Sequence, residues 1–347
     1  MRITKIEVVA KTRPPSPNPK RDAIQALPGT GSVQVILTTE SGVVGTSEVW
    51  YGRIAGGPAA LAATIEHILK PLILQQDLTM IRALHQVMLR ESEYHGAFGL
   101  TMFGIAAMDT ALWDALGKTL GVPCWQLWGR VNQRIRAYAM VGWLNYDDRE
   151  VQEICAEAVA QGFRAVKIKV GYPTLKEDIR RVETVRAAVG DDIEIMVDAN
   201  QSLSAAEAIR RGRAFEALGC SWWEEPIAAD DLEGYAALTR ALDIPVATGE
   251  NLYTPADFAR FLQHGAVDII QPDIRRAGGP TALLQIGLLA HAFHIPYASH
   301  GGGPEQLNIM ACLPNALYLE TGSIGPDSPL KLVDGSVQVP TGAGFGW

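Results

Sequence analysis

The sequence predicts an α/β protein, with a (β/α) barrel of the TIM type preceded by a smaller α+β domain. The first observation is a repeat of short apolar runs that end in a carboxylate and alternate with helix-patterned segments. The clearest runs are residues 195–198, 221–224 and 245–250. The second is their spacing of roughly 20–30 residues, which one βα unit of such a barrel needs. The third is the length of 347 residues, too long for one ordinary small domain.

Composition and charge limit the possible function classes. Apolar residues make up 48% of the chain, enough for a sizeable core. The net charge of -8 argues against nucleic acid or an anionic membrane as a partner, although a small anionic substrate near a local cation is compatible with it. We expect a soluble cytoplasmic protein, because no apolar run could span a bilayer and the first residues alternate like a strand. The scattered cysteines are expected to be reduced thiols: Cys124, Cys155, Cys220 and Cys312.

Residues 1–130 are expected to form the smaller domain, in which strands come before helices. Helical periodicity covers residues 59–120 and is clearest at 101–117, where one broad face is apolar. The preceding strands form an antiparallel region and are expected at residues 3–10, 32–39 and 43–49.

Residues 131–325 are expected to form the barrel, with its first strand at 135–141. The next strand, 165–170, carries Lys167 and Lys169 two positions apart, so their side chains share one face. A charge that faces the helix layer is unfavourable unless it is paired, so both lysines are expected at the open mouth. Two lysines that snorkel at a strand end are the alternative. Proximity and burial would lower the pKa of each ammonium, which is how a lysine becomes a general base near neutral pH.

Three carboxylates end apolar runs at the same structural phase: Asp198, Glu224 and Glu250. Because the carboxyl ends of barrel strands meet at one end of the barrel, these groups should converge. Mutual repulsion then favours a hard divalent cation between them, and all-oxygen ligation favours Mg²⁺, with Mn²⁺ as a substitute. Any one of these acids alone is explained about as well as a helix N-cap or a solvated loop charge. The repetition is what favours a metal.

Later apolar runs end in Asp273, His300 and Glu320. If Asp273 and His300 lie on adjacent strands at equal depth, they can form a hydrogen bond. A carboxylate that holds one imidazole nitrogen fixes the tautomer and makes the other nitrogen a better base. The remaining histidines lie in helical or loop stretches and are expected to be structural or solvated.

These groups together suggest removal of a proton next to a carboxylate. A carboxylate substrate would chelate the ion, a base would remove the proton on its α carbon, and Lys167 with the ion would stabilise the enediolate. Reprotonation from the opposite face would be racemisation or epimerisation, whereas departure of a β-hydroxyl would be dehydration. A non-catalytic barrel that binds a metal and a carboxylate ligand is a less favoured alternative.

Short segments near the strand ends form a specific set: Lys167-Ile168-Lys169, Asp198-Ala199-Asn200, Trp223-Glu224-Glu225-Pro226, Thr248-Gly249-Glu250-Asn251, Gln271-Pro272-Asp273, Ser299-His300 and Glu320. This set resembles the mandelate racemase subgroup of the enolase superfamily, in which a Lys or His base works with Mg²⁺. The resemblance covers essentially the whole chain, because residues 1–130 are similar to the α+β capping domain of the family.

The resemblance implies a role for each conspicuous polar residue. The implied metal ligands are Asp198, Glu224 and Glu250. Lys169 resembles the lysine base, and Lys167 the contact to the substrate carboxylate. The other implied roles are a base dyad on the opposite face for His300 with Asp273, a hydrogen bond to the substrate carboxylate for Glu320, and a contact to a substrate hydroxyl for Asn200.

The resemblance also implies that two loops, residues 11–31 and 51–58, cover the barrel mouth and that residues 326–347 return to the cap. Both loops are rich in Gly, Pro and charge, and plain surface connections would explain them about as well. Their charged side chains favour a polyhydroxylated acid over an aryl acid, so dehydration of an acid sugar is the expected reaction. The expected partner is a small anionic hydroxy-carboxylate, and the family resemblance implies a homo-oligomer.

Overall fold

The computed structural model of the chain describes residues 1–322, 324, 328 and 330–346. The strands of the N-terminal part are β1 (Ile3–Thr12), β2 (Lys20–Arg21), β3 (Ala26–Leu27), β4 (Gly31–Thr39) and β5 (Val44–Trp50). Strands β1, β4 and β5 form an antiparallel sheet in that order. Burial alternates along β4 and β5, because one face of the sheet packs against helices.

The helices of this part are α1 (Gly57–Thr64), α2 (Lys70–Ile73), α3 (Ile81–Ser92), α4 (Leu100–Leu120) and α5 (Cys124–Trp128). The helical stretch expected at 59–120 is therefore present but interrupted, and a π-helical turn, Ile65–Leu69, joins α1 to α2. Helix α4 is buried almost all round, because it lies between the sheet and the barrel. It ends at Gly121, whose left-handed backbone (φ 69°) lets its N–H close the last turn.

Residues 11–31 are not the plain loop that their Gly and Pro content predicts, because strands β2 and β3 form a small hairpin within them. The buried Asp22 carboxylate closes its turn by accepting two backbone N–H groups. The hairpin also binds the barrel: the N–H of Arg21 donates to the Asn145 side chain (3.0 Å), and its carbonyl accepts the N–H of Leu144 (2.9 Å). This segment therefore lies against the loop that follows the first barrel strand.

Eight parallel strands form the barrel, and it is closed because the last strand pairs with the first. They are β6 (Arg134–Gly142), β7 (Ala165–Lys169), β8 (Glu194–Asp198), β9 (Trp222–Glu224), β10 (Val246–Thr248), β11 (Ile269–Ile270), β12 (Tyr297–Ala298) and β13 (Ala316–Thr321). The predicted fold class, a TIM-type (β/α) barrel with an N-terminal α+β capping domain, is confirmed. Strands β10 to β12 are shorter than their apolar runs suggest, so Glu250, Asp273 and His300 lie just beyond strand ends.

Helices connect the strands on the outside of the barrel. They are α6 (Asp148–Ala160), α7 (Leu175–Val189), α8 (Ala205–Ala217), α9 (Leu232–Ala241), α10 (Pro255–Gln263), α11 (Pro280–Ala292) and α12 (Pro304–Ala311). Helices α6, α7 and α10 each begin with a reciprocal capping box, which fixes the point where the preceding loop ends. None of the helices in the described part of the chain is long and apolar enough to cross a membrane.

Large side chains fill the barrel below its mouth. Tyr138, Trp222 and Tyr318 pack edge to face, with ring centroids 5.2 to 5.9 Å apart. The lumen is therefore a packed core, and the titratable groups at the strand ends lie on top of an aromatic floor.

The cap is joined to the barrel through α4. The Asp109 carboxylate, which is fully buried, accepts the backbone N–H of Thr281 (2.8 Å) and its hydroxyl (2.7 Å). The indole N–H of Trp113 donates to the same hydroxyl (2.9 Å). A side chain of the cap thus caps α11 of the barrel, where the helix dipole favours a negative charge.

The C-terminal segment connects both parts. It contains β14 (Leu332–Val333) and β15 (Ser336–Gln338), and β15 pairs antiparallel with β6. Beyond them, the carbonyl of Gly344 accepts the N–H of Cys124 (2.7 Å), and Phe345 is buried in the core of the cap. The division of the chain after residue 130 stays a prediction, and the expected boundary between residues 325 and 326 lies outside the described residues.

Candidate active site

Three carboxylates meet at the mouth of the barrel. Asp198 and Glu224 are the last residues of β8 and β9, and Glu250 follows β10 by two positions. Each can offer an oxygen that lies within 4.8 Å of the other two, and all three side chains are buried. Burial raises the pKa of Glu224 to about 8, and the neighbouring Asp198 carboxylate contributes to the rise. An all-oxygen donor set of this size fits Mg²⁺.

The two lysines of β7 reach the same carboxylates. Nζ of Lys167 lies 2.5 Å from Glu224 and 2.5 Å from Glu320, and Nζ of Lys169 lies 2.5 Å from Asp198. Their predicted position at the mouth is thus observed, but the predicted lowering of their pKa is wrong in this structure. Burial alone would lower the pKa of each ammonium, yet the carboxylates around it outweigh burial and raise it.

His300 and Asp273 form the expected hydrogen bond. Nδ1 of His300 donates to Asp273 at 2.7 Å, and its Nε2 lies 3.0 Å from Glu250. Burial alone would lower the pKa of His300, but the Glu250 carboxylate and the hydrogen bond to Asp273 outweigh it and raise the pKa to about 10. In this arrangement the imidazole is protonated at neutral pH, with Nε2 as the nitrogen turned toward the carboxylates.

Glu320, at the end of β13, links the two sides of the site. One of its oxygens contacts Lys167 and accepts the Tyr138 hydroxyl at 2.7 Å. Its other oxygen accepts the N–H of Gly301 at 2.9 Å and lies 4.0 Å from Nε2 of His300. Burial alone would raise the pKa of Glu320, but Lys167 and His300 outweigh it and lower the pKa to about 2.

Four of the five predicted catalytic residues line one cavity of about 230 Å³, and the fifth, Asp273, lies behind His300. Both lysines, His300 and Glu320 contribute to its wall, so groups that are far apart in sequence face a common space. The other lining residues are Met140, Trp143, Gly301, Gly302, Thr321 and Gly322.

Asn200 does not line this cavity. Its backbone is left-handed (φ 45°), its N–H donates to Asp198 at 2.8 Å, and its side-chain oxygen has no hydrogen-bond partner among the described residues. Its expected contact with a substrate hydroxyl stays a prediction.

Sequence reasoning assigned no role to several residues that shape the site. Arg275 binds both oxygens of Asp273 through its guanidinium and so completes the support of His300. Glu225 is a further buried carboxylate, held by the Asn251 amide at 2.8 and 2.9 Å, and burial raises its pKa well above the ordinary value. Two consecutive glutamates at residues 224–225 could have indicated a role for Glu225 in the site. Nothing in the sequence pattern indicated one for Arg275.

The hairpin of residues 11–31 reaches this site through Trp143. Nζ of Lys20 lies 5.3 Å from the centre of the Trp143 ring, and Nζ of Lys169 lies 5.4 Å from it. One indole thus contacts an ammonium of the cap and an ammonium of the catalytic cavity. The hairpin therefore lies against one wall of this cavity, and the expectation that residues 11–31 and 51–58 cover the mouth stays a prediction.

Two family models match the chain. The mandelate racemase / muconate lactonizing enzyme N-terminal domain matches residues 5–129, and the enolase C-terminal domain-like family matches residues 150–347. An arabinonate dehydratase from Saccharolobus solfataricus is 34% identical over 337 residues, which cover 94% of this chain and 89% of the relative. The L-talarate/galactarate dehydratase of Salmonella typhimurium is 33% identical, with 86% of this chain and 75% of the relative covered.

The solved structures agree with the sequence relatives. A racemase from Streptomyces coelicolor with bound magnesium has a TM-score of 0.91 and 30% identity, covering 99% of this chain and 96% of its own. The chain belongs to the mandelate racemase/muconate lactonizing enzyme family of the enolase superfamily.

Proposed function

We propose that the protein dehydrates an acid sugar to a 2-keto-3-deoxy acid, beginning with removal of the proton α to the carboxylate. The observation that carries this proposal is the single cavity lined by Lys167, Lys169, His300 and Glu320 beside three converging carboxylates. Relatives that are named as dehydratases of arabinonate and of talarate and galactarate support the choice of reaction.

Asp198, Glu224 and Glu250 would hold Mg²⁺, with Mn²⁺ as a possible substitute. When bound, this ion supplies Lewis-acid stabilisation to a carboxylate substrate whose α carbon is losing a proton. Its charge also offsets the three buried carboxylates, which otherwise depend for compensation on the two lysines and, for Glu250, on His300.

The lysines divide the work on the carboxylate side of the substrate. Lys167 is held between Glu224 and Glu320, so its ammonium is a fixed donor for a substrate carboxylate oxygen. Lys169 is paired with a single described carboxylate, that of Asp198, and lines the cavity. It acts as the base that takes the α proton once it is neutral. Trp143 covers its ammonium and limits the access of water.

His300 completes the elimination. Asp273 accepts from Nδ1, so Nε2 carries the mobile proton and donates it to the departing β-hydroxyl. Removal of the α proton leaves the Cα–H electrons on the substrate carboxylate as an enediolate. These electrons then form the C=C bond as the Cβ–O bond breaks, and the β-hydroxyl leaves as water with the proton from Nε2. The enol product then tautomerises to the 2-keto acid. Glu320 binds both the Lys167 ammonium and the N–H of Gly301. It thereby fixes the position of the lysine relative to the loop that carries His300.

The test is a panel of mono- and dicarboxylic sugar acids, assayed with Mg²⁺ for 2-keto acid formation and, in D₂O, for α-proton exchange. Lys169→Ala and His300→Asn should each lower turnover by about 100-fold or more. Two exposed positions supply matched controls: Lys176→Ala, and His294→Asn at a left-handed backbone (φ 62°) that Asn tolerates well. Controls should keep wild-type activity. Turnover that survives both active-site changes would contradict the proposal.

Epimerisation is the second candidate, because Lys169 and His300 both line the cavity and could serve as bases on opposite faces. The same D₂O experiment separates the two reactions. Exchange that yields the epimer without any keto acid would favour epimerisation. Ligand binding with neither exchange nor turnover would favour a non-catalytic role.

We also propose that the protein works in the cytoplasm as a homo-oligomer, with no nucleic acid or membrane partner. The free state of all four cysteines supports the compartment, and the net charge of -8 supports the absence of polyanionic partners. Light scattering during size-exclusion chromatography would measure the assembly, and a monomer at micromolar concentration would contradict the oligomer.

A further inference from the structure

A second cavity, of about 280 Å³, adjoins the catalytic one at the joint between cap and barrel. Residues of β5 and α4 form its cap side, and residues that follow β11 and β12 form its barrel side. The two cavities share His300, Gly301 and Gly302 in their walls. Because two of these three residues have no side chain, the wall that the cavities share consists of backbone and the His300 imidazole.

Gly301 places no side chain between the two cavities. Its backbone is left-handed (φ +72°), and a Cβ there would lie 3.8 Å from Nη2 of Arg275, on the side of the second cavity. A substrate whose reacting carbons lie beside Lys169 and His300 can therefore extend its remaining carbons past Gly301. The second cavity is the place where the far end of a chain of several carbons would lie.

Each cationic side chain that lines the second cavity is already paired with a carboxylate of the protein. The guanidinium of Arg275 is already bound by the Asp273 carboxylate, and the His300 imidazole lies between Asp273 (2.7 Å) and Glu250 (3.0 Å). Glu48, on β5, has Lys11 as its partner at 2.5 Å. Glu305, in the first turn of α12, has no basic partner in the part of the chain that the structure describes.

The Glu305 carboxyl group is also suited to hydrogen bonds with uncharged hydroxyl groups. Burial, with a smaller contribution from the nearby Asp114 carboxylate, raises its pKa to about 7. Near neutral pH this carboxyl group can both donate and accept a hydrogen bond, which matches the two roles of a sugar hydroxyl. A second carboxylate on the substrate would instead meet two acidic side chains, Glu48 and Glu305.

We propose that the second cavity holds the uncharged polyhydroxyl end of the substrate, so that the protein prefers aldonic acids to dicarboxylic aldaric acids. This inference rests on the proposed dehydration and adds the substrate class. Charge repulsion provides the selection: Glu48 and the ionised form of Glu305 disfavour a terminal carboxylate, while their oxygens accept hydroxyl groups.

The test compares acids that differ only at the last carbon, such as galactonate with galactarate and gluconate with glucarate. The Mg²⁺-loaded enzyme should show kcat/KM at least about tenfold higher for the aldonate of the preferred pair. A preference for the aldarate would overturn the inference and leave the dehydration intact. If neither class forms keto acid or exchanges its α proton, the proposed dehydration itself fails.

Two variants locate the selection. Glu305→Gln should raise the ratio of the aldarate kcat/KM to the aldonate kcat/KM by about tenfold. Glu48→Gln, at an exposed position on β5 where folding is not at risk, should act in the same direction. Glu153→Gln, on the exposed outer face of α6, is the control that should change neither value. An unchanged ratio in both cavity variants would overturn the assignment.

Discussion

Replacement of Asp273 by Asn tests the assignment of the proton donor most directly. The carboxylate is fully buried and accepts Nδ1 of His300 at 2.7 Å, Nε of Arg275 at 3.0 and 3.1 Å, and the backbone N–H groups of Arg275 and Arg276. An amide in its place can keep the backbone contacts through its oxygen. Its NH₂ group then faces His300 and Arg275, which are both donors.

His300 must respond to that change. Facing an NH₂ group, Nδ1 has to become the acceptor, and the imidazole loses the negative charge that favours its protonated form. General acid–base assistance is worth about 10²–10⁴ in rate, which is about 2.7–5.4 kcal/mol. We therefore expect kcat for keto acid formation to fall by about 100-fold or more, while α-proton exchange driven by Lys169 stays within about tenfold of wild type.

The measurements are steady-state keto acid formation and NMR-detected deuterium incorporation at the α carbon. Asp268→Asn is the matched control, because Asp268 precedes β11 at the other end of the barrel and accepts the N–H of Val246 at 2.9 Å. A thermal melt checks folding, since loss of a buried charge partner can cost about 3–5 kcal/mol. Dehydration that stays within threefold of wild type in a folded Asp273→Asn variant would refute the role of His300. If α-proton exchange is lost together with dehydration, the role of the base that removes the α proton would have to be assigned to His300 and not to Lys169.

Three further predictions address stability and metal binding. Asp109→Ala removes both hydrogen bonds to Thr281 at the cap–barrel joint and should cost about 3 kcal/mol or more in urea unfolding, whereas Asp109→Asn should cost less; equal costs would contradict the capping argument. Glu224→Gln should weaken Mg²⁺ binding by at least about tenfold in calorimetric titration, and unchanged affinity would remove Glu224 from the ligand set. Because burial raises the pKa of Glu305 from 4.5 to about 7, its folded form holds a proton that the unfolded form releases. Wild type should therefore lose stability relative to Glu305→Gln as pH rises between these values, and parallel pH profiles would contradict that.

The sequence could predict which side chains meet at the mouth because strand ends follow a local rule. An apolar run ends, and the next polar residue faces the open end of the barrel, so Asp198 and Glu224 could be assigned without knowledge of their neighbours. The two-residue period likewise placed Lys167 and Lys169 on one face. What could not be predicted was the electrostatic outcome. The pKa of each lysine depends on carboxylates from other strands, and the expected direction was wrong because these outweigh burial.

Loops and supporting contacts followed no such rule. The hairpin within residues 11–31 depends on one buried Asp22 turn and on pairing between Arg21 and the loop after β6, which is more than 100 residues away in sequence. Arg275 supports Asp273 from two positions along the chain, yet many arginines near strand ends simply face solvent. Such contacts depend on the backbone path of a single loop, which short sequence patterns do not fix.

Helix α4 connects stability to selectivity in this fold. Within two turns it carries Asp109, which caps the barrel helix α11, Thr110, which lines the second cavity, and Asp114, which accepts the N–H of Phe345 in the C-terminal segment. The wall against which the far end of a substrate would lie is therefore part of a buried helix that is fixed to the barrel helix α11 at one point and to the C-terminal segment at another. A rigid wall of this kind favours selection by charge and shape built into the folded state over selection by loop closure. Changes of substrate preference should then come from single side chains such as Glu48 and Glu305, at little cost to the acid–base groups on the other side of Gly301.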